Sequence, residues 1–192
     1  MSKKILNIGV IIASTRPLRN GGKIAAWVKE TTDTDRDANY TYLDLAELQL
    51  PFLADTNMPW QGDYDLDSSK QWSKLVAKQD GFLVITPEYN HGYPASLKNA
   101  LDTLHGEWAR KPAAFVGYGA VGAARSIEQL AGVLLNLDMH PITNKTTNIM
   151  LFEHLDDSGE FVPTERHEHS LKGTLAALKE WTELFNTIRI SN

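Results

Sequence analysis

Apolar runs of strand length alternate with amphipathic helical stretches along nearly the whole chain, and this alternation limits the possible folds most. Residues 5–13 form an almost unbroken apolar, β-branched run, as a parallel strand buried on both faces requires. A helix is predicted over 23–30, with Ile24, Trp27 and Val28 on one face, and a second strand over 40–45. A helix over 68–78 with Ser68 as N-cap, a strand over 81–85 and a helix over 95–104 follow. Next come a strand over 113–118, a helix over 123–137, and two short extended runs, 139–142 and 148–152, that read as a split fifth strand. The last helix, 164–188, aligns Leu171, Leu175, Leu178, Trp181 and Phe185. A βαβαβαβαβα order demands parallel pairing with helices on both faces. The expected fold is α/β: a three-layer sandwich around a five-stranded parallel sheet of order 2-1-3-4-5, with residues 1–192 as one domain.

The composition removes whole classes of function. There is no cysteine, so disulfides, thiolate catalysis and thiolate metal sites are excluded. A net charge of −5 argues against a general nucleic-acid binder, which carries a basic patch. No apolar run approaches the roughly 20 residues of a membrane span. Lys3-Lys4 before the run at 5–13 imitates a short signal peptide, but Asn7 and Gly9 dilute it and Arg16 and Arg19 follow at once. A first buried strand explains the run, and a cytoplasmic location is expected.

In the expected strand order, strands 1, 3 and 4 are neighbours, and the loops after them converge on the carboxyl edge, where α/β sheets bind ligands. The first loop, Ala13-Ser14-Thr15-Arg16-Pro17-Leu18-Arg19-Asn20-Gly21-Gly22, offers hydroxyls, guanidinium groups and a helix N-terminus, the ingredients of a phosphate site. It lacks the P-loop pattern, and its other reading is a solvated turn with Ser capping the helix. The third-strand loop, Thr86-Pro87-Glu88-Tyr89-Asn90-His91-Gly92-Tyr93-Pro94, combines two fixed prolines, an aromatic ring and an amide, suited to a flat ring with polar edges. A plain helix-capping turn is its alternative. The fourth loop, Gly117-Tyr118-Gly119-Ala120-Val121-Gly122, is formally G-x-G-x-x-G. Its placement after the fourth strand, and Asp138 at a helix end, argue against a dinucleotide fingerprint. Its glycines still let N–H groups approach a ligand closely.

Together these stretches resemble the NADPH-dependent FMN reductase family, the flavodoxin-like quinone and azo reductases. The resemblance rests on Ala13-Ser14-Thr15-Arg16-Pro17-x-Arg19, on Thr86-Pro87-Glu88-Tyr89-Asn90 with Leu97-Lys98-Asn99-Ala100-Leu101-Asp102, and on Lys111-Pro112 before the fourth loop. His91-Gly92-Tyr93-Pro94-Ala95 resembles the step found in the quinone-reductase subset. The chain departs from common family residues at Ala13, Arg19, Gly21 and His91. The resemblance implies FMN as bound cofactor and NADPH or NADH as co-substrate. Ser14, Thr15, Arg16 and Arg19, with N–H groups near Asn20 and Gly21, would bind the phosphate. Pro87, Glu88, Tyr89 and Asn90 would carry the isoalloxazine, through backbone N–H groups and the Tyr89 ring. Gly119, Ala120, Val121 and Gly122 would face the pyrimidine edge, where negative charge develops on reduction.

The implied reaction is ping-pong hydride transfer from NAD(P)H through FMN N5 to a small-molecule acceptor: a quinone, an azo compound or a flavin. No protein nucleophile is required, and G-x-S-x-G is absent. Two alternatives remain at this point: a one-electron carrier of the flavodoxin type, and a flavin-occupied redox sensor with a protein partner. The arginines of the first loop speak against the carrier. A homodimer or tetramer is expected from the resemblance. His91 is an acceptor-site candidate, and His105 and His140 are read as structural. His167-Glu168-His169 is read as solvated surface, with no metal. Trp60 and Tyr64, in the long connection 46–66, could cover a partner's flavin, pack in the core or lie exposed. A 2′-phosphate on the co-substrate would need a cation, for which Arg16, Arg19, Lys98, Arg110 and Arg125 are candidates.

Overall fold

A computed structural model describes residues 5–190; Lys3 and Lys4 lie outside the described residues. The sheet runs β2 (Ala38–Asp44), β1 (Leu6–Ile12), β3 (Gly81–Pro87), β4 (Pro112–Gly119) and β5 (His140–Pro141). A further strand, β6 (Thr147–Met150), also pairs with β4, beyond the end of β5. All of these pairings are parallel. The predicted order is therefore present, and the last strand is split as expected.

Alternation along the central strands feeds two cores. Leu6, Ile8, Val10 and Ile12 of β1, with Leu83 and Ile85 of β3, pack beneath α1 (Gly21–Thr32) and α6 (Glu165–Ile190). On the other face, Ile11, Phe82, Val84 and Phe115 meet Trp72 and Val76 of α3 (Asp67–Ala77), Leu97 and Leu101 of α4 (Ala95–Asp102), and Ile127 and Leu130 of α5 (Ala124–Asn136). Trp72 and Trp108 are fully buried, and their indole N–H groups donate to Ala100 O at 2.8 Å and Leu101 O at 3.1 Å. These bonds let two large rings with polar handles enter the core without an unsatisfied donor.

Several boundaries differ from those read in the sequence. α1 begins at Gly21, two residues early, and β2 begins at Ala38. Ser68 is not an N-cap: α3 starts at Asp67, with Leu66 in the cap position and no side-chain cap from it. The segment leading into the helix is fixed instead by a carboxylate ten residues upstream. The Asp55 carboxylate takes the N–H groups of Asp65 (2.7 Å) and Leu66 (2.9 Å). The connection 46–66 is thus organised rather than loose, and it contains a short helix, α2 (Leu45–Leu48). Asn99 holds it to α4, donating to Pro51 O at 2.8 Å and accepting from Leu53 N–H at 2.9 Å.

Lys111 shows what the Lys-Pro step does in this fold. Its ammonium is buried and donates to Val76 O at 2.9 Å, at the negative end of α3. Burial, reinforced by Arg189, pulls its pKa down to about 8, against the pull of Asp80 and Glu107. Between that value and the unfolded value near 10.5, the folded protein holds fewer protons than the unfolded chain, so stability from this group rises with pH. Below the lower value the cost of burying the charge is fully present. Urea unfolding of wild type and Lys111→Met across pH 7 to 10 should show wild type gaining on the variant by up to roughly 3 kcal/mol. Parallel stability curves would mean that the lysine keeps an ordinary pKa.

Candidate functional site at the carboxyl edge of the sheet

The loop after β1 is held in shape by its own side chains. Arg19 donates to Ser14 O at 3.0 Å, and its guanidinium pairs with Asp44 at the end of β2. Ser96 Oγ donates to Ala13 O at 2.6 Å, tying α4 to the same loop. Ser14 is buried, and its Oγ shares a 2.6 Å hydrogen bond with Tyr89 Oη from the third loop. Arg19 is thus committed within the protein. Arg16 is exposed, with its guanidinium carbon 5.9 Å from the Tyr89 ring centroid. Of the candidate cations, Arg19, Lys98, Arg110 and Arg125 all stand in ion pairs, whereas Arg16 has none among the described residues. Thr15 lines a cavity of about 550 Å³ between α2 and α4, together with Leu45, Phe52 and Ser96.

The N-terminus of α1 opens into this loop without an internal acceptor. Asn20 occupies the cap position with no side-chain hydrogen bond, and the first turn contains no acidic residue. An uncapped helix start presents several unpaired N–H donors and a partial positive charge.

The third loop turns back on itself. Tyr89 and Gly92 exchange two backbone hydrogen bonds of 2.9 and 3.0 Å, with Asn90 at φ 50° and His91 at φ 69° between them. That is a two-residue turn with both central residues left-handed, a place where Asn suits the first position and Gly the second. His91 therefore occupies a glycine-favouring position and is exposed at the turn's tip. Glu88 N–H is spent on Tyr118 O at 3.3 Å and Tyr89 N–H on Gly92 O. The donors left to a ligand in this turn are the N–H groups of Asn90 and His91.

The Glu88 side chain faces away from the turn, toward α5. Ala123, the cap residue of α5, lies at φ 59° and has no side-chain acceptor. The Glu88 carboxylate takes its place, accepting from Arg125 N–H at 3.2 Å and from Arg125 Nε at 2.6 Å. Burial would raise the Glu88 pKa, but Arg125 and the N–H groups of Ser126 and Arg125 outweigh it and hold the carboxyl below its usual range. Ser126 Oγ adds a 3.0 Å bond to Pro87 O. The third and fourth loops are thus tied into one unit.

The fourth loop folds tightly over its own strand. A Cβ on Gly117 would lie 2.5 Å from Gly122 O, so only glycine lets the loop return there. Asn148 on β6 fixes the same carbonyl, donating at 2.7 Å. Ala120 and Val121 are exposed at the loop's tip, and their N–H groups make no hydrogen bond among the described residues.

The remaining sequence candidates lie in packing roles or away from this edge. Tyr64 is buried and donates to Glu107 at 2.9 Å, whereas Trp60 is 68% exposed. His167 Nδ1 accepts from Thr164 N–H at 3.1 Å, and Glu168 accepts from Trp27 Nε1 at 2.6 Å. His140 stacks against Trp181, with centroids 4.0 Å apart. The sequence reading missed Asp44, Ser96, Arg125 and Ser126 as scaffolding, and Tyr118, whose buried hydroxyl lacks a hydrogen-bond partner. A polar aromatic residue at the carboxyl end of a central strand was the available signal for Tyr118.

This donor set suits a phosphorylated, flat, polar ligand: open N–H groups and an unpaired arginine at one end, a turn and a glycine loop at the other. It sits at the carboxyl edge of a flavodoxin-like fold. The description of the NADPH-dependent FMN reductase family matches residues 6–153. An NAD(P)H-dependent FMN reductase of Saccharomyces cerevisiae is 36% identical over 71% of this chain and 78% of its own length. An NADPH:quinone oxidoreductase of Arabidopsis thaliana is 27% identical over 94% and 93%, respectively. The solved flavoenzyme NAD(P)H:(acceptor) oxidoreductase FerB from Paracoccus denitrificans superposes with a TM-score of 0.75 at 25% identity, covering 94% of this chain and 99% of that one. The chain belongs to the NADPH-dependent FMN reductase family.

Glu88→Gln tests the tie between the loops. The stabilisation should be fully present above the ordinary carboxylate range and fade as pH falls through the lowered pKa of Glu88. At pH 7 the variant should lose about 1–3 kcal/mol by denaturant unfolding. The gap from wild type should narrow below about pH 4. A gap independent of pH would assign the loss to shape rather than charge.

Proposed function

We propose that this protein is an FMN-dependent NAD(P)H oxidoreductase working by ping-pong turnover on quinone-like acceptors, with the three loops at the carboxyl edge as its cofactor site. The observation that carries the assignment is the contrast between two helix starts. The α5 N-terminus is closed by Glu88, while the α1 N-terminus is open beside an unpaired Arg16. When bound, FMN supplies a ring that accepts hydride from NAD(P)H and passes two electrons to the acceptor.

The chain's own residues bind, orient and bias. The first loop and the start of α1 take the phosphate, with Arg16 as its mobile cation and Ser14 buried at its base. Arg19 holds the loop's shape through Asp44 and Ser14 O. Asn90 and His91 offer N–H groups to one side of the ring, and Tyr89, pinned through Ser14, closes the gap between phosphate and ring. Ala120 and Val121 direct N–H donors at the pyrimidine edge, where fixed dipoles stabilise the developing negative charge. His91, exposed at the tip of the third loop, would stand beside the place where NAD(P)H and then the acceptor bind in turn. No helix among the described residues is long and apolar enough to cross a membrane. The proposal includes one FMN-binding domain over the chain, a homodimer or tetramer, and a cytoplasmic location.

Anaerobic NADPH added to the FMN-reconstituted protein should bleach the flavin absorbance. A quinone should restore it. Double-reciprocal plots at varied quinone should be parallel. Retained flavin that NADPH leaves oxidised would favour an electron carrier, and intersecting lines would contradict the ping-pong order.

A further inference from the structure

Among the described residues, Tyr118 is the one beside the first loop whose buried side-chain polar atom has no hydrogen-bond partner. Its side chain is 4% exposed and belongs to the core beneath α1. From β4 it reaches across the sheet to the start of that helix: a Cβ placed on Gly21 would stand 2.8 Å from Tyr118 Oη. The hydroxyl is fully buried, and no group among the described residues meets hydrogen-bond geometry with it, although Ser14 lies close enough to lower its pKa. Its neighbour Ser14 is already bonded to Tyr89 Oη. An unsatisfied buried hydroxyl costs free energy, and it persists in a native protein when something outside the polypeptide completes it. Here it lies at an uncapped helix start, among the groups argued above to take a phosphate.

We propose that the Tyr118 hydroxyl donates to the 5′-phosphate of the flavin from beneath the first loop and makes the site select phosphorylated over unphosphorylated flavin. The proposal rests on the phosphate reading of the first loop. Several features agree with it. Burial, then Tyr89, raises the phenol's pKa more than Ser14, Arg19 and Arg16 lower it, so the group stays a protonated donor. Gly21 leaves the space that the hydroxyl needs, whereas a Cβ on Gly22 would meet nothing within 4 Å. The absence of a side chain at 21 is thus explained by Tyr118 rather than by backbone conformation.

The test compares FMN and riboflavin binding, by quenching of flavin fluorescence, in wild type and Tyr118→Phe apoprotein. A hydrogen bond to a phosphate dianion is charge-assisted, so its loss should weaken FMN binding roughly tenfold or more while riboflavin binding stays within about twofold. The melting temperature of the apo variant should equal or exceed wild type, because an unpaired buried hydroxyl has gone. The thermal stabilisation given by inorganic phosphate alone should shrink. Gly21→Ala supplies a second route, since its Cβ pushes the hydroxyl aside. It should weaken FMN binding in the Tyr118 background and cost much less with Phe at 118, a non-additive cycle. Unchanged FMN affinity in Tyr118→Phe would overturn the proposal, as would equal losses for FMN and riboflavin. Wild type that binds the two flavins equally would overturn the phosphate reading itself.

Discussion

The positive ends of α1 and α5 both reach the carboxyl edge of the sheet, and the protein treats them oppositely. At α5 the cap residue is Ala123, which brings no acceptor, and the Glu88 carboxylate crosses from the neighbouring loop to fill the position. At α1 no side chain among the described residues does so. Each helix start carries roughly half a positive charge. One is neutralised to build the scaffold; the other has no side-chain cap from the cap residue. Without the Glu88 side chain, the two loops would keep only the Ser126–Pro87 bond and the backbone bond to Tyr118 O.

Much of the surrounding structure serves that arrangement. Arg19, Asp44 and Ser96 shape the first loop. Asn99, inside the most family-specific stretch, brackets the long connection after α2. Gly117 lets the fourth loop fold back within van der Waals reach of its own strand. These are backbone and second-layer duties, consistent with a reaction whose chemistry is carried by the flavin and whose protein supplies position and electrostatics.

The strand order was legible because buried parallel strands write themselves as unbroken apolar runs, as at residues 5–13 and 81–85. The ends of elements were less so. Asp55 fixes the approach to α3 through the N–H groups of Asp65 and Leu66, a pairing that no pattern around Ser68 could show. The three loops were legible as a site because glycines, hydroxyls and arginines cluster after strands 1, 3 and 4. Which of those side chains face a ligand was not, since that depends on pairings between distant residues. Arg19 finds Asp44 and Glu88 finds Arg125, pairings that no local pattern in the loops shows. Tyr118 reaches the start of α1 only because the fold carries a β4 side chain there.

Hydrogen exchange read by mass spectrometry, on the apoprotein and with saturating FMN, addresses the central claim directly. The account predicts slowed exchange in peptides covering residues 13–24, 88–92 and 119–122, including the open N–H groups of α1, Asn90 and Ala120. The N-terminal turn of α5, already closed by Glu88, should change little. Protection concentrated elsewhere, with the first loop and the start of α1 exchanging as in the apoprotein, would contradict it.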